Sequence, residues 1–238
     1  MSGYSDPTEA GRIARVYGEY ERADCAAGKW SGGNRGNTAI LRERRTLTAR
    51  FLERYAPHGI GTLDILEVGC GEGQVIAELI GMGADPSRVT GVDILETRIG
   101  KARDKIPGVR FLAMDAAAMD FPDGSFDLVV LFTVLSSVLD DGIRKRIAGE
   151  IDRVLKPGGA VLCYDMRVRN PANPNVRGVG RRTMAALFPG YTMHACSLTL
   201  LPPLARRLGP LTPILYTTLA SVPFLRSHLM VMLVKGAP

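Results

Sequence analysis

Cysteine, histidine, tryptophan and uninterrupted apolar runs are all scarce in this 238-residue chain. The four cysteines, Cys25, Cys70, Cys163 and Cys196, are widely scattered and form no CxxC pair. That spacing argues against a disulfide framework and against a metal site, and for reduced thiols in a cytoplasmic protein. Three histidines leave few candidates for a base that works near neutral pH. The opening MSGYSDPTEAGR has neither a basic start nor an apolar run, so no secretory signal is expected. The most apolar stretch, LPPLARRLGPLTPILYTTLASVPFL, is cut by Pro203, Pro210, Pro213 and Pro223, which argues against a transmembrane helix. The most informative absence is of acid. Between Met166 and Pro238 there is no Asp or Glu, against nine basic residues, while residues 1–165 hold 21 basic and 24 acidic ones. The overall charge of +6 therefore belongs to the C-terminal third. Such a field either attracts an anionic substrate, a nucleic acid or an anionic membrane surface, or is a solvated arginine face.

What is present fits an ordinary globular domain, 46% hydrophobic and 23% charged. Residues 7–24 read as an amphipathic helix begun by Asp6 and Pro7. A Gly/Asn-rich loop, AAGKWSGGNRGN, carries the only tryptophan, and TAILRERRTLTARFLERYA reads as a second helix with Ile40, Leu47, Phe51 and Leu52 on its apolar side. An alternation then begins. LDILEVG, RVTGVDI, VRFLAMD, FDLVVLF and GAVLCYDMR read as strands, separated by helices at 74–82, 96–105 and 142–155. Strand and helix in series predict an α/β Rossmann-like doubly wound sheet, mostly parallel, with helices on both faces. YTMHACSLTL and SHLMVMLVK add an antiparallel C-terminal strand pair, joined by an apolar insertion at about 201–225. The expected organisation is a helical cap or lid over 1–58 and the sheet domain over 59–238. The insertion reads as pocket cover, as an interface in a homodimer, or as a peripheral membrane or lipid contact.

Ligands of such sheets bind at the carboxyl ends of the strands, where strand order reverses. There stands DILEVGCGEG, with Glu67 two residues ahead of Gly69, Gly71 and Gly73. The glycines allow a ligand close to the main chain, and the following helix points free amides at the loop. The spacing departs from the dinucleotide G-x-G-x-x-G, having Gln74 where the last glycine would stand. Acidic residues end the next two strands, Asp93 in GVDI and Asp115 in FLAMD. The first has the place of a ribose-binding acid; the second could accept from an adenine amine.

These residues together resemble the class I S-adenosylmethionine-dependent methyltransferases. ILEVGCGEG is similar to that family's first motif, GVDI to its ribose-binding acid, MDAAAMDFPDGSFDLVV to its adenine loop and fourth strand, and EIDRVLKPGGAVL to the helix, turn and fifth strand. The resemblance runs through roughly residues 60–165. It implies S-adenosyl-L-methionine as cofactor, with S-adenosyl-L-homocysteine as product. Gly69, Cys70 and Gly71 would approach the methionine part and Glu67 its ammonium. Asp93 would bind the ribose with Ile94 against the adenine face, Asp115 and Ala116 would contact the adenine, and Phe132 would line the sulfonium side. Many small-molecule members carry a histidine after the fourth strand. This chain has VLSSVLDD, with Ser136 and Ser137 there, either substrate-bonding or structural.

Candidates for the catalytic base are Asp165, which ends the fifth strand, and His194, with His228 and His58 as further histidines. Each also reads as structural, Asp165 as a loop cap. Trp30, Asn34 and Asn37 in KWSGGNRGN are candidates for a lid over the acceptor, and Arg169 and Arg177 for gripping a phosphate or carboxylate. The expected function is methyl transfer to an oxygen or nitrogen of a small molecule, of anionic, glycosyl or antibiotic-like specialised-metabolite type. Arginine outnumbers lysine 24 to 6, compatible with a GC-rich bacterial source. Two other readings remain open: an RNA or protein methyltransferase, though no interleaved basic and aromatic run favours nucleic acid, and a regulatory protein that binds the cofactor without transferring methyl.

Overall fold

The computed structural model describes residues 8–22, 33–170 and 173–236. Seven strands form one sheet: β1 (Ile65–Val68), β2 (Val89–Asp93), β3 (Arg110–Ala113), β4 (Phe126–Phe132), β5 (Leu155–Met166), β6 (Thr192–Leu200) and β7 (Arg226–Val234). Their order is β3-β2-β1-β4-β5-β7-β6. The first five are parallel, and β7 lies antiparallel between β5 and β6. The chain winds outward in one direction from β1 to β3 and then in the other from β4, so order reverses between β1 and β4. That reversal opens a crevice above their carboxyl ends.

The sequence forms these strands because both faces are covered. Every residue of β1 and β2 is buried, as expected for central parallel strands that read as continuous apolar runs. Alternate side chains feed two cores. On one face Leu66, Val68, Val129 and Leu131 pack with Ile147 and Ile151 of α5 (Asp141–Val154). On the other, Ile65, Leu128 and Val130 pack with Ile76 and Leu79 of α3 (Gln74–Gly81) and Ile99 of α4 (Glu96–Lys105). One local reading is corrected. The KPGG stretch, taken as a turn before the fifth strand, lies within β5, where Phe126 pairs with Leu155 but Leu128 with Ala160. Gly158, at φ 75°, permits the bulge.

Two N-terminal helices, α1 (Glu9–Arg22) and α2 (Arg35–Tyr55), lie against this frame. α2 begins earlier than its periodicity predicts because Asn34 caps it, its Oδ1 accepting from the amides of Gly36 (2.9 Å) and Asn37 (3.2 Å). Leu52 at its far end joins the sheet core, while Ile40 near its start joins Leu200, Ala205, Tyr216 and Ala220 in a third cluster. That third cluster is the underside of the 201–225 insertion, which forms α7 (Pro202–Arg207) and α8 (Thr212–Ala220), following α6 (Arg181–Leu187). The prolines that break its hydrophobic run stand in the first turns of its helices and 3-10 turns, where no intrahelical amide is needed. Its outer surface shows Ile214 (71% exposed) and Phe224 (77%) to solvent. Among the described residues no helix is long and apolar enough to cross a membrane.

A close backbone approach joins α2 and α7, where a Cβ on Gly36 would fall on the Ala205 carbonyl. Gly36→Ala is therefore expected to force the two helices apart at a cost of about 1–3 kcal/mol. Thermal denaturation should show a melting temperature lower by at least about 2 °C, and an unchanged value would mean the approach is not rigid.

Candidate functional site: a cavity over the strand ends

β1 ends at Val68 and the chain turns through Gly69 (φ 70°) and Gly71 (φ 53°), a conformation that other residues rarely adopt. The turn is fastened to the tip of β2. Gly69 and Cys70 donate to the Val92 carbonyl (2.8 and 3.0 Å), and Gly71 donates to Asp93 Oδ2 (2.9 Å). Asp93 Oδ1 accepts from Leu95 N (2.9 Å), so each oxygen of this buried carboxylate holds one amide and keeps a lone pair for a ligand hydroxyl. Asp115, at the end of β3, is fixed by the Ala117 amide (2.8 Å).

Above this loop lies a cavity of about 1800 Å³. Typical small-molecule sites measure about 300–1,000 Å³, so there is room for a nucleoside and a second ligand. Glu67, Gly69, Cys70, Gly71, Asp93, Ile94, Asp115, Ala116 and Phe132 all line it. Of the residues weighed for acceptor binding, Arg169 and Ser137 are among its described walls. Trp30 lies outside the described residues.

Several expected site residues lie elsewhere. Asp165 is fully buried, its Oδ2 accepting from Ser136 N (3.0 Å) and its Oδ1 from Met166 N (2.8 Å). Its strand does reach the cavity, but side chains alternate, so Tyr164 and Met166 face in and Asp165 does not. Burial pushes its carboxyl up to about 6 against those hydrogen bonds. It ties the β5 tip to the loop after β4. Ser136 is the other half of that tie, its carbonyl accepting from Arg177 N (2.8 Å). The Arg177 guanidinium is spent on Asp141 (2.9 and 3.0 Å) and does not line the cavity. His194 stands on the edge strand β6 opposite Met232, which pairs with Leu162, well down the sheet from the tips. Asn34 and Asn37, read as polar lid contacts, hold structure instead: Asn34 caps α2, and buried Asn37 accepts from Arg206 Nε (3.1 Å).

The structure also supplies residues that the sequence reading passed over. Arg44 of α2 lines the cavity, its Nη2 2.6 Å from Glu78 Oε1 of α3. Its guanidinium lies 5.3 Å from the Phe132 ring centroid and 5.9 Å from that of Tyr164. One signal was available: Arg44 falls on the helical stripe of Ile40, Leu47 and Phe51, an arginine where an apolar residue is due. Glu67 is the other half of this arrangement. It is 2% exposed, and its Oε2 has no hydrogen-bond partner. Burial pushes its carboxyl well above the ordinary range, and the charge of Arg44 pulls it back. Arg44 Nε likewise lacks a partner. An unpaired carboxylate oxygen and an unpaired guanidinium nitrogen fit the ammonium and carboxylate of an amino acid, and Asp93 fits a ribose diol. Among the described residues no group of three or more His, Cys, Asp or Glu side chains is placed to hold a metal.

Because the folded protein holds a proton on Glu67 more tightly than the unfolded chain, the stability this proton contributes is complete below the ordinary carboxylate range. It is lost as pH rises from that range toward the raised folded value. Glu67→Gln removes the loss. The variant is expected to melt higher than the parent at pH 7, with a flatter stability profile between pH 5 and 7 in thermal scans. It should also bind an ammonium-bearing ligand about tenfold or more weakly by calorimetry.

Residues 65–159 match the family model described as a methyltransferase domain. A probable S-adenosylmethionine-dependent methyltransferase of Mycolicibacterium smegmatis is 37% identical over 143 residues, 60% of this chain and 51% of that one. The eEF1A lysine and N-terminal methyltransferase of Bos taurus is 33% identical over 112 residues, 43% of this chain and 16% of that one. The chain thus spans from about a sixth to about half of these curated relatives. Among solved structures, an S-adenosylmethionine-dependent methyltransferase from Mesorhizobium loti superposes with a TM-score of 0.60 at 20% identity, covering 78% of this chain and 96% of that one. The [4+2]-cyclase SpnF superposes over the full length of both chains with a TM-score of 0.68 at 19% identity. With the sheet order, the glycine turn and the two strand-end acids now in place, residues 65–159 of this chain form a methyltransferase domain, on the fold of the S-adenosylmethionine-dependent methyltransferases.

Proposed function

We propose that the chain binds S-adenosylmethionine over the tips of β1, β2 and β4 and transfers its methyl group to an oxygen or nitrogen of a small anionic acceptor. The observation that carries this reading is the buried, unpartnered oxygen of Glu67, beside Arg44 and two residues from the glycine turn. A carboxylate kept this way is costly unless a cation comes to it. When bound, the donor supplies a methyl carbon already activated by a good leaving group. The protein then has to hold and align. Glu67 and Arg44 take the two ends of the amino acid and Asp93 the ribose. Phe132 and Tyr164, their ring centroids 5.5 Å apart, form a wall beside the reacting carbon that keeps water away. Alignment of this kind is worth up to about 7–11 kcal/mol.

An anionic acceptor is favoured by Arg169, which lines the cavity, is exposed and has no carboxylate partner among the described residues. The fold by itself does not decide the reaction, since SpnF is a cyclase and the Bos taurus relative is named for protein substrates. The test is direct. Calorimetry with donor and demethylated donor comes first, followed by labelled donor with panels of small acids and alcohols, of proteins and of RNA. Label on a small anionic acceptor supports the proposal. Tight donor binding with no labelled product points to a binding protein, and label confined to protein or RNA overturns the acceptor class.

Asp93→Ala should weaken donor binding by about one order of magnitude or more, since it removes a charged acceptor and releases the Gly71 amide. Arg169→Ala should raise the acceptor KM about tenfold with donor Kd unchanged. Arg177→Ala should change neither by more than about twofold, because its charge is already used on Asp141. Equal effects of the two arginine variants would refute this division.

A further inference from the structure

The acceptor side of the cavity contains a histidine whose protonation pattern is fixed by its neighbours. His228 is 7% exposed, lines the cavity, and is stacked on Tyr164 with ring centroids 4.7 Å apart and planes 4° from parallel. Its Nδ1 is 2.8 Å from Ser227 Oγ. Ser227 Oγ is in turn 3.1 Å from the carbonyl of Thr199. A carbonyl can only accept, so the one hydroxyl proton of Ser227 goes to Thr199 and its oxygen accepts from His228 Nδ1–H. A neutral imidazole protonated at Nδ1 has its lone pair on Nε2, to which no described group hydrogen-bonds. It is the ring atom left to the cavity.

The scaffold behind Ser227 is strained. Thr199 has φ 66°, in the left-handed region that a β-branched residue rarely enters, and β6 and β7 skip a pairing there. Two contacts hold it, one of them braced by a third residue. Its amide donates to Glu43 Oε2 (2.9 Å), which also accepts from Tyr216 (2.8 Å), and its hydroxyl meets the Tyr164 hydroxyl at 2.9 Å. Strain maintained by so many partners is a mark of a functional position. Burial, with Arg44 of α2 as the charged neighbour, pushes the imidazole down to about 4, so the ring is neutral across the physiological range.

Resting on the methyl-transfer reading above, we propose that His228 Nε2 receives the proton of the acceptor, which must therefore present an O–H or N–H at the Tyr164–His228 wall. In the step, Nε2 takes that proton while the lone pair of the acceptor atom forms the bond to the methyl carbon, and the carbon–sulfur bond breaks with its electrons left on sulfur. The cavity begins with one sulfonium cation and ends with one imidazolium, so its net charge does not change. That offsets the low basicity of the buried ring. The proton then passes to water through the open cavity.

Nitrogen-15 imidazole spectra of the full chain, without donor or acceptor, test the geometry first. His228 should appear at pH 7 as the neutral Nδ1–H form, and Ser227→Ala should shift that balance. A predominant Nε2–H form in the parent would overturn the proposal whatever the reaction. In the complete assay, His228→Phe should leave donor Kd within about twofold and lower kcat by about 10²–10⁴-fold. His228→Gln, which keeps an acceptor oxygen near Nε2 but takes no proton, should restore the acceptor KM without restoring kcat. A His228→Phe enzyme with parental kcat would sink the assignment. Loss of donor binding by the parent chain would instead sink the methyl-transfer reading and leave the spectroscopic result standing.

Discussion

A buried carboxyl group with one oxygen left unpartnered, at the point where strand order reverses, governs much of this molecule. Glu67 belongs to β1, the strand from which the sheet winds in both directions, and that position buries it except where it meets the cavity. Nearby lie Arg44 from α2 and Glu78 from α3, so the charges of three separate elements converge beside one glycine turn. Arg44 is paired with Glu78 through Nη2, lies over two aromatic rings and acts on Glu67 by its charge, while its Nε has no partner. Such a set is unfavourable in an empty protein; under the proposed function an amino acid zwitterion would supply the missing charges, trading stability for affinity.

The frame around that site was largely legible in the chain. The strands of the parallel region are apolar runs, several with an acid at or just beyond the tip, and the apolar runs follow from burial on two faces. Periodicity therefore located β1 to β4, and the motif residues from Glu67 to Phe132 converge on one cavity. The acceptor side was much less legible, and alternation explains why. Asp165 ends a strand aimed at the cavity, but a shift of one residue decides which side chain enters it, and Tyr164 is the one that does. His194 and His228 both lie in C-terminal strands, and nothing local separates them. The difference is register: His228 is opposite Met166 at the sheet tip, whereas His194 sits lower on an edge strand. Arg177 and Arg169 look alike in a loop with no acidic residue, yet Asp141, far off in sequence, neutralises only the first.

The acid-free C-terminal third also gains a local meaning. Several of its arginines work as structural donors: Arg167 to the carbonyls of Arg226 and Pro223, Arg226 to those of Ala220 and Ser197, and Arg181 to that of Ala195. An insertion built from short helices and turns leaves many carbonyls without helical partners. Guanidinium groups, with five donors each, satisfy them without needing carboxylates. Part of the positive field thus comes from how the insertion is fastened down, whereas Arg169 lines the cavity with no carboxylate partner among the described residues.

One turn of α2 joins the two halves of the site. Arg44 reaches toward the donor end through Glu67 and Glu78, and the adjacent Glu43 fixes the strained Thr199 whose carbonyl orients Ser227 and, through it, His228. Consecutive residues on a helix point about 100° apart, so a helix lying across the cavity can serve both sides at once. α2 is itself held by the sheet core at one end and the insertion at the other. A displacement of this helix would therefore move the donor cradle and the acceptor wall together. That arrangement explains why an N-terminal helix outside the recognisable motif region is packed so closely against the last two strands, and why Gly36, with no side chain to hold it off, stands where it meets α7.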